Sequence, residues 1–131
     1  MDSLDTLSGQ VIGAAIDIHR ALGPGLLESV YEELLCRELE RRGIAVRRQV
    51  GIPLVYDGVH FDCAFRADLV VEEQLLVELK CTERPSAVHE RQLLTYLRIM
   101  GLPLGLLINF GQYRLIDGVK RVANNYSPPE E

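Results

Sequence analysis

Tryptophan is absent from this chain of 131 residues, and aromatic residues make up only 6% of it. Cysteine occurs three times, as Cys36, Cys63 and Cys81, an odd number with no CxxC spacing. Neither a disulfide framework nor a zinc site is expected, and the cysteines read as small apolar fillers in a reducing cytoplasm. No run approaches about 18 consecutive apolar residues, so no membrane span is expected. The opening MDSLDTLSGQ carries acids and no basic cluster, which does not fit a signal peptide. Also missing are HxxxH and HExxH spacings, a glycine-rich phosphate loop, a GxSxG elbow and a Cys/His pairing. Positive charge is in deficit as well: the formal net charge is −5 and the pI about 5.2. That counts against coating nucleic acid by bulk electrostatics. It leaves room for a local site, because carboxylates that hold a cation lower the formal charge without repelling a substrate once loaded.

What is present suffices for a core. Hydrophobic residues are 47% of the chain, enough for a single domain over residues 1–131, and no internal repeat is visible. Leu4, Leu7, Val11, Ala14, Ile18 and Leu22 recur at three and four, which predicts a helix ended by Gly23-Pro24-Gly25. A second helix is expected from about Leu26 to Arg42, with Gly43 in the C-terminal glycine position. Ile44 to Val50 reads as a strand, and Leu54-Val55-Tyr56 and Val59-His60-Phe61 flank the hairpin signal Asp57-Gly58. A third helix is expected from about Ser86 to Met100, stopping at Gly101. Leu104 to Phe110 reads as a buried strand. A last hairpin is expected around Asp117-Gly118, and the polar tail, from about residue 125 to 131, is expected to be flexible. The order of elements argues for a mixed α/β or α+β fold.

RADLVVEEQLLVELK, residues 66–80, is the most informative stretch. A three-residue loop at 72–74 would pair Val71 with Leu75, Leu69 with Val77, Ala67 with Leu79 and Phe65 with Cys81 on one wholly apolar face. The other face would pair Val70 with Leu76, Asp68 with Glu78 and Arg66 with Lys80. Two carboxylates directly opposed across strands are destabilising. A divalent cation between them would compensate, and all-oxygen ligands suit Mg²⁺ or Mn²⁺. Lys80 would place an ammonium beside the same spot. The alternative is that Asp68, Glu78 and Lys80 form a solvated sheet edge.

The helices add candidates. Glu28, Tyr31, Leu35 and Leu39 fall on one line of the second helix, which puts Glu28 on its inward flank. With Gly25 as N-cap, Glu28 would instead be an N3 capping residue. In the third helix His89, Gln92 and Tyr96 share a face, as ligand-facing groups or as a bridge between core and solvent. Arg37, Arg41, Arg42, Arg47 and Arg48 offer a phosphate track or merely a solvated surface.

Together these positions resemble a known family. Gly25-Leu-Leu-Glu28-Ser-Val-Tyr31 fits the pattern of the GxxExxY proteins, which belong to the PD-(D/E)xK nuclease superfamily. The similarity continues through FRADLVV, LLVELK, QLLTYL, GLLINFG and KRV, over nearly the whole chain. The resemblance implies a restriction-endonuclease-like domain, a central mixed β-sheet flanked by helices with an αβββαβ core. By the same resemblance Asp68 matches the first acid of the signature, Glu78-Leu79-Lys80 its ExK, and Glu28 the acid of the preceding helix. Glu28, Asp68 and Glu78 would then hold Mg²⁺ or Mn²⁺. Gln92 and Tyr96 match a QxxxY helix that supports the site or the nucleic-acid backbone. Ala67 replaces the signature proline, which carries no chemistry. The implied activity is metal-dependent hydrolysis of phosphodiester bonds, with DNA the expected substrate. A homodimer or a subunit of a larger complex is compatible with the sequence. The rival reading is a non-catalytic module that binds nucleic acid or protein through the same fold.

Overall fold

Local signals start and stop the helices in this chain, whose computed structural model describes residues 3–84 and 86–125. Helix α1, Leu4–Leu22, begins at Ser3, whose hydroxyl accepts the Thr6 amide, and ends at Gly23 with φ 72°. Helix α2, Glu28–Arg41, buries Tyr31, Leu35 and Leu39 completely. It closes through Gly43 at φ 77°, with the Gly43 amide donating to Glu40 and the Ile44 amide to Leu39, a Schellman arrangement. Helix α3, Ala87–Met100, is capped by the Ser86 hydroxyl and terminated by Gly101 in the left-handed region.

The strands are β1 (Val46–Tyr56), β2 (Val59–Val71), β3 (Leu75–Lys80), β4 (Leu104–Asn109) and β5 (Val119–Ala123), in the spatial order β1-β2-β3-β4-β5. Only β3 and β4 run parallel, joined by α3; the other neighbours are antiparallel. The fold is the mixed α/β, restriction-endonuclease-like arrangement that the sequence predicts. The two expected strand pieces on either side of Pro53 are one strand. β1 is a sheet edge and its register shifts between Ile52 and Leu54, so the missing proline amide breaks no ladder bond. Asp57-Gly58 turns the β1–β2 hairpin with φ 50° and 78°. Asp117-Gly118 does not turn a hairpin. It ends a 3₁₀ turn, Leu115–Gly118, from which β5 returns alongside β4. Asn124 is tied to Leu102 and Pro103, so it belongs to the fold; residues 126–131 of the expected tail lie outside the described ones.

Both sheet faces are covered. Helices α1 and α2 pack on one side over Leu69, Val71, Leu75, Val77 and Leu79, while Leu93 and Leu97 of α3 cover Val70, Leu76 and Leu107 on the other. One expectation fails at this level. Phe65 and Ala67 pack with Val70 and Leu76 under α3, not with Leu69 and Leu79. β1 changes face at the same level, because Val46 packs toward α1 and α2 whereas Val50 and Ile52 pack toward α3. Gln49, with φ 50°, lies at the crossover. Regular alternation cannot survive a left-handed residue inside a strand.

Candidate active site

The β2–β3 ladder runs through Val71–Leu75, Val70–Leu76 and Leu69–Val77, as the three-residue loop demands, and then stops. The further expected pairs of Asp68 with Glu78 and of Arg66 with Lys80 do not form. Instead the two acids cross-link strands that part. Asp68 Oδ2 accepts the Leu79 amide at 2.8 Å, and the Asp68 amide donates to Glu78 Oε1 at 3.3 Å. In this arrangement each carboxyl group accepts a backbone N–H instead of facing the other across a closed ladder. β3 stays fixed on its other side, where the Phe110 amide donates to the Lys80 carbonyl at 2.8 Å.

The splay lets both helical layers reach the acids. Glu78 is buried, at 8% exposure, and its carboxyl is pushed up to about 8, first by burial and then by the charge of Asp68. Lys80, half-buried two residues along, pulls it partly back. Lys80 enters no ion pair among the described residues, so its ammonium is available. From the α3 layer, Tyr96 is half-buried and stacks on Phe65 with ring centroids 3.7 Å apart. Its phenol is raised by burial, then by Glu78 and Asp68, with Gln92 acting the other way. Gln92 is itself exposed. His89 lines a recess together with Lys80 and Lys120.

From the α2 layer comes Glu28. The N-cap is Leu27, so Glu28 is the first helical residue rather than N3, and the expected capping box is absent. The residue is exposed, not on the inward flank that periodicity predicts, yet its carboxyl is raised by partial desolvation and then by Asp68, and lowered by Lys80. Glu28 is thus within electrostatic reach of Asp68 and Lys80. Cys81, next to Lys80, has its thiol pushed up to about 11 by burial and then by Glu28, so it is no thiolate nucleophile.

A family model described as the PD-(D/E)XK nuclease superfamily matches residues 5–122. The chain belongs to this superfamily. Among curated proteins and among solved structures, nothing matches at a significant level. Members of the PD-(D/E)XK superfamily are usually phosphodiester hydrolases and generally use divalent ions such as Mg²⁺ or Mn²⁺.

The residues fit such an ion in kind. A carboxyl pushed up to about 8 by burial and then by a second carboxylate is a site that a divalent cation would relieve, and the donors are all oxygen. The structure brings Asp68 and Glu78 together but does not add Glu28 as a close third ligand. Among the described residues, no three His, Cys, Asp or Glu side chains are gathered to hold a metal.

Two participants were missed in the sequence. Glu32 is buried at 6% exposure and accepts from Arg48 at 3.1 Å and from Gln49 Nε2 at 2.6 Å. Gln49 Nε2 also donates to Asp68 Oδ1 at 3.3 Å. Only the i+4 spacing from Glu28 hints at Glu32, and nothing hints at Gln49. The expected phosphate track dissolves into ion pairs. Arg37 pairs with Glu33, Arg41 with Glu38, Arg42 with Asp17, Arg47 with Glu73 and Arg48 with Glu32.

Proposed function

We propose that this chain is a metal-dependent nuclease of the GxxExxY group that hydrolyses the phosphodiester bonds of DNA, as one domain over residues 1–131 acting in the cytoplasm. The observation that carries this reading is the interlock of Asp68 and Glu78 beside an unpaired Lys80, where the ladder gives way. Asp68 and Glu78 would hold Mg²⁺ or Mn²⁺ at the parted strands, with Glu28 drawn in from α2 as a further oxygen ligand. A bound cation of this kind supplies Lewis acidity toward the phosphate and acidifies a water. Lys80 orients the attacking water or neutralises charge on the phosphate as it develops. Gln92 and Tyr96 present an amide and a phenol from α3 to the nucleic-acid backbone. Burial of Glu78 keeps bulk water from screening these charges.

The GxxExxY assignment has its own support. Gly25 has φ 110°, a conformation that any side chain would resist. The Tyr31 hydroxyl donates to the Gly23 carbonyl and accepts the Leu26 amide, while its ring stacks on Phe110 with centroids 4.3 Å apart. Glycine and tyrosine of the motif therefore build the turn that presents its glutamate. The test is digestion of labelled DNA and RNA in Mg²⁺, Mn²⁺ and EDTA, with Lys80→Ala as control. Cleavage of DNA that needs the metal and Lys80 is expected. Cleavage that persists in EDTA, or that Lys80→Ala leaves intact, would overturn the assignment.

A further inference from the structure

Gln49 is the one residue inside a strand, among those described, that has a positive φ without being glycine. Asp57, Glu72 and Glu73 share the left-handed region, but in hairpin turns where it is ordinary. Held at φ 50° within β1, Gln49 must be kept there by its surroundings. The Arg66 guanidinium donates to the Gln49 carbonyl at 3.3 Å, and the Gln49 side chain meets two carboxylates. One side-chain nitrogen, Nε2, donates to Glu32 Oε1 at 2.6 Å and to Asp68 Oδ1 at 3.3 Å. An amide nitrogen has two N–H groups, so this exposed side chain has one for each carboxylate. Asp68 Oδ2 is occupied by the Leu79 amide, so the Gln49 bond fixes the remaining torsion of that carboxylate.

The other end of the bridge matters as much. Glu32 stands one helical turn after Glu28 on α2, and Arg48, the neighbour of Gln49, donates to it at 3.1 Å. Anchoring Glu32 to β1 therefore ties the first turn of α2, which carries Glu28, to the strand beside Asp68. We infer that Gln49 is a positioning residue that aligns Asp68 directly, and Glu28 through Glu32, for the divalent cation of the proposed nuclease site. The inference rests on that nuclease reading. The left-handed backbone at 49 coincides with both features, the amide turned to the two acids and the change of face in β1.

The test pairs two variants with readouts that separate alignment from stability. Gln49→Gly accepts the positive φ but removes the amide, and Glu32→Ala removes the acceptor at the far end of the same bridge. In EDTA, Gln49→Gly should melt within a few degrees of wild type, because relief of the left-handed strain offsets the lost amide contacts. The Mg²⁺ concentration that half-saturates the thermal shift should rise tenfold or more, and so should that for cleavage, with the rate at saturating Mg²⁺ reduced less. Combining the two variants should add little to either alone. Without metal, Asp68→Asn should move the Gln49 side-chain amide resonances in an NMR spectrum. Half-saturation equal to wild type in Gln49→Gly, in a wild type that binds Mg²⁺, overturns the role of Gln49 alone. So does a lower melting temperature in EDTA with half-saturation unchanged. A wild type with no response to Mg²⁺, whose Gln49 resonances still answer to Asp68→Asn, overturns the nuclease reading and the positioning role with it, leaving only a structural bridge.

Discussion

Glu78 concentrates the energetic conflict of this molecule, because burial and Asp68 both oppose its ionisation. With an ordinary carboxyl value of 4.5 in the unfolded chain and about 8 in the fold, the native state holds a proton that the unfolded state releases between those values. Stability contributed by the protonated group is complete below about pH 4.5 and is lost as pH rises toward 8. Metal-free wild type should therefore lose on the order of a few kcal/mol across that window. Glu78→Gln, which cannot ionise, should remove most of the slope; a slope unchanged in the variant by urea titration at several pH values would assign it elsewhere. Because a cation must displace the same proton, Mg²⁺ affinity should strengthen over this range. Glu28 poses a different question, since at the first position of α2 it also complements the helix dipole, worth about 0.3–1 kcal/mol. Glu28→Gln loses that but also sheds repulsion from Asp68, so the melting temperature should barely move. Cleavage should fall tenfold or more if the side chain reaches the cation. Wild-type cleavage rates would leave Glu28 a helix-end charge only.

The elements were legible in the sequence wherever their ends carry chemistry. Ser3, Gly43, Ser86, Gly101 and Asp57-Gly58 each mark a boundary by a cap or a left-handed turn, and each boundary falls within a residue or two of where periodicity puts it. The register of the β2–β3 hairpin was legible for the same reason, since only one loop length keeps its leucines and valines on consistent faces. What lies beyond Leu69 was not. Alternation assumes a regular ladder, and the crossover at Gln49 and the parting of strands at Asp68 break that assumption together. The bridge from Glu32 through Gln49 was hidden too, because it depends on how α2 lies across β1. Tyr31 illustrates what local motifs do carry. Tyr31→Phe keeps the stack on Phe110 but removes two hydrogen bonds to the Gly23–Leu26 turn. It should cost about 1 kcal/mol of stability and a few degrees of melting temperature. A variant as stable as wild type would mean the turn is held by Gly23 and Gly25 alone.

Over the described residues, the two helical layers meet the sheet with separate apolar clusters, and the acids lie where the β2–β3 ladder ends. No helix among the described residues is long and apolar enough to cross a membrane. A net charge of −5 and arginines paired to neighbouring carboxylates leave little general attraction for nucleic acid. On the proposed nuclease reading, affinity for a substrate would then depend on the cation and on Lys80, with metal loading the first condition to test. The most direct measurement is the melting temperature of wild type and Glu78→Gln, each in EDTA and in saturating Mg²⁺ at pH 8. A cation bound only by the native state at a hundred times its dissociation constant stabilises by about 2.7 kcal/mol. Wild type should gain several degrees with Mg²⁺, and Glu78→Gln should match or exceed wild type in EDTA yet gain little. A wild type indifferent to Mg²⁺, or a variant markedly less stable in EDTA, would contradict the account and make Asp68 and Glu78 a purely structural cross-link between parting strands.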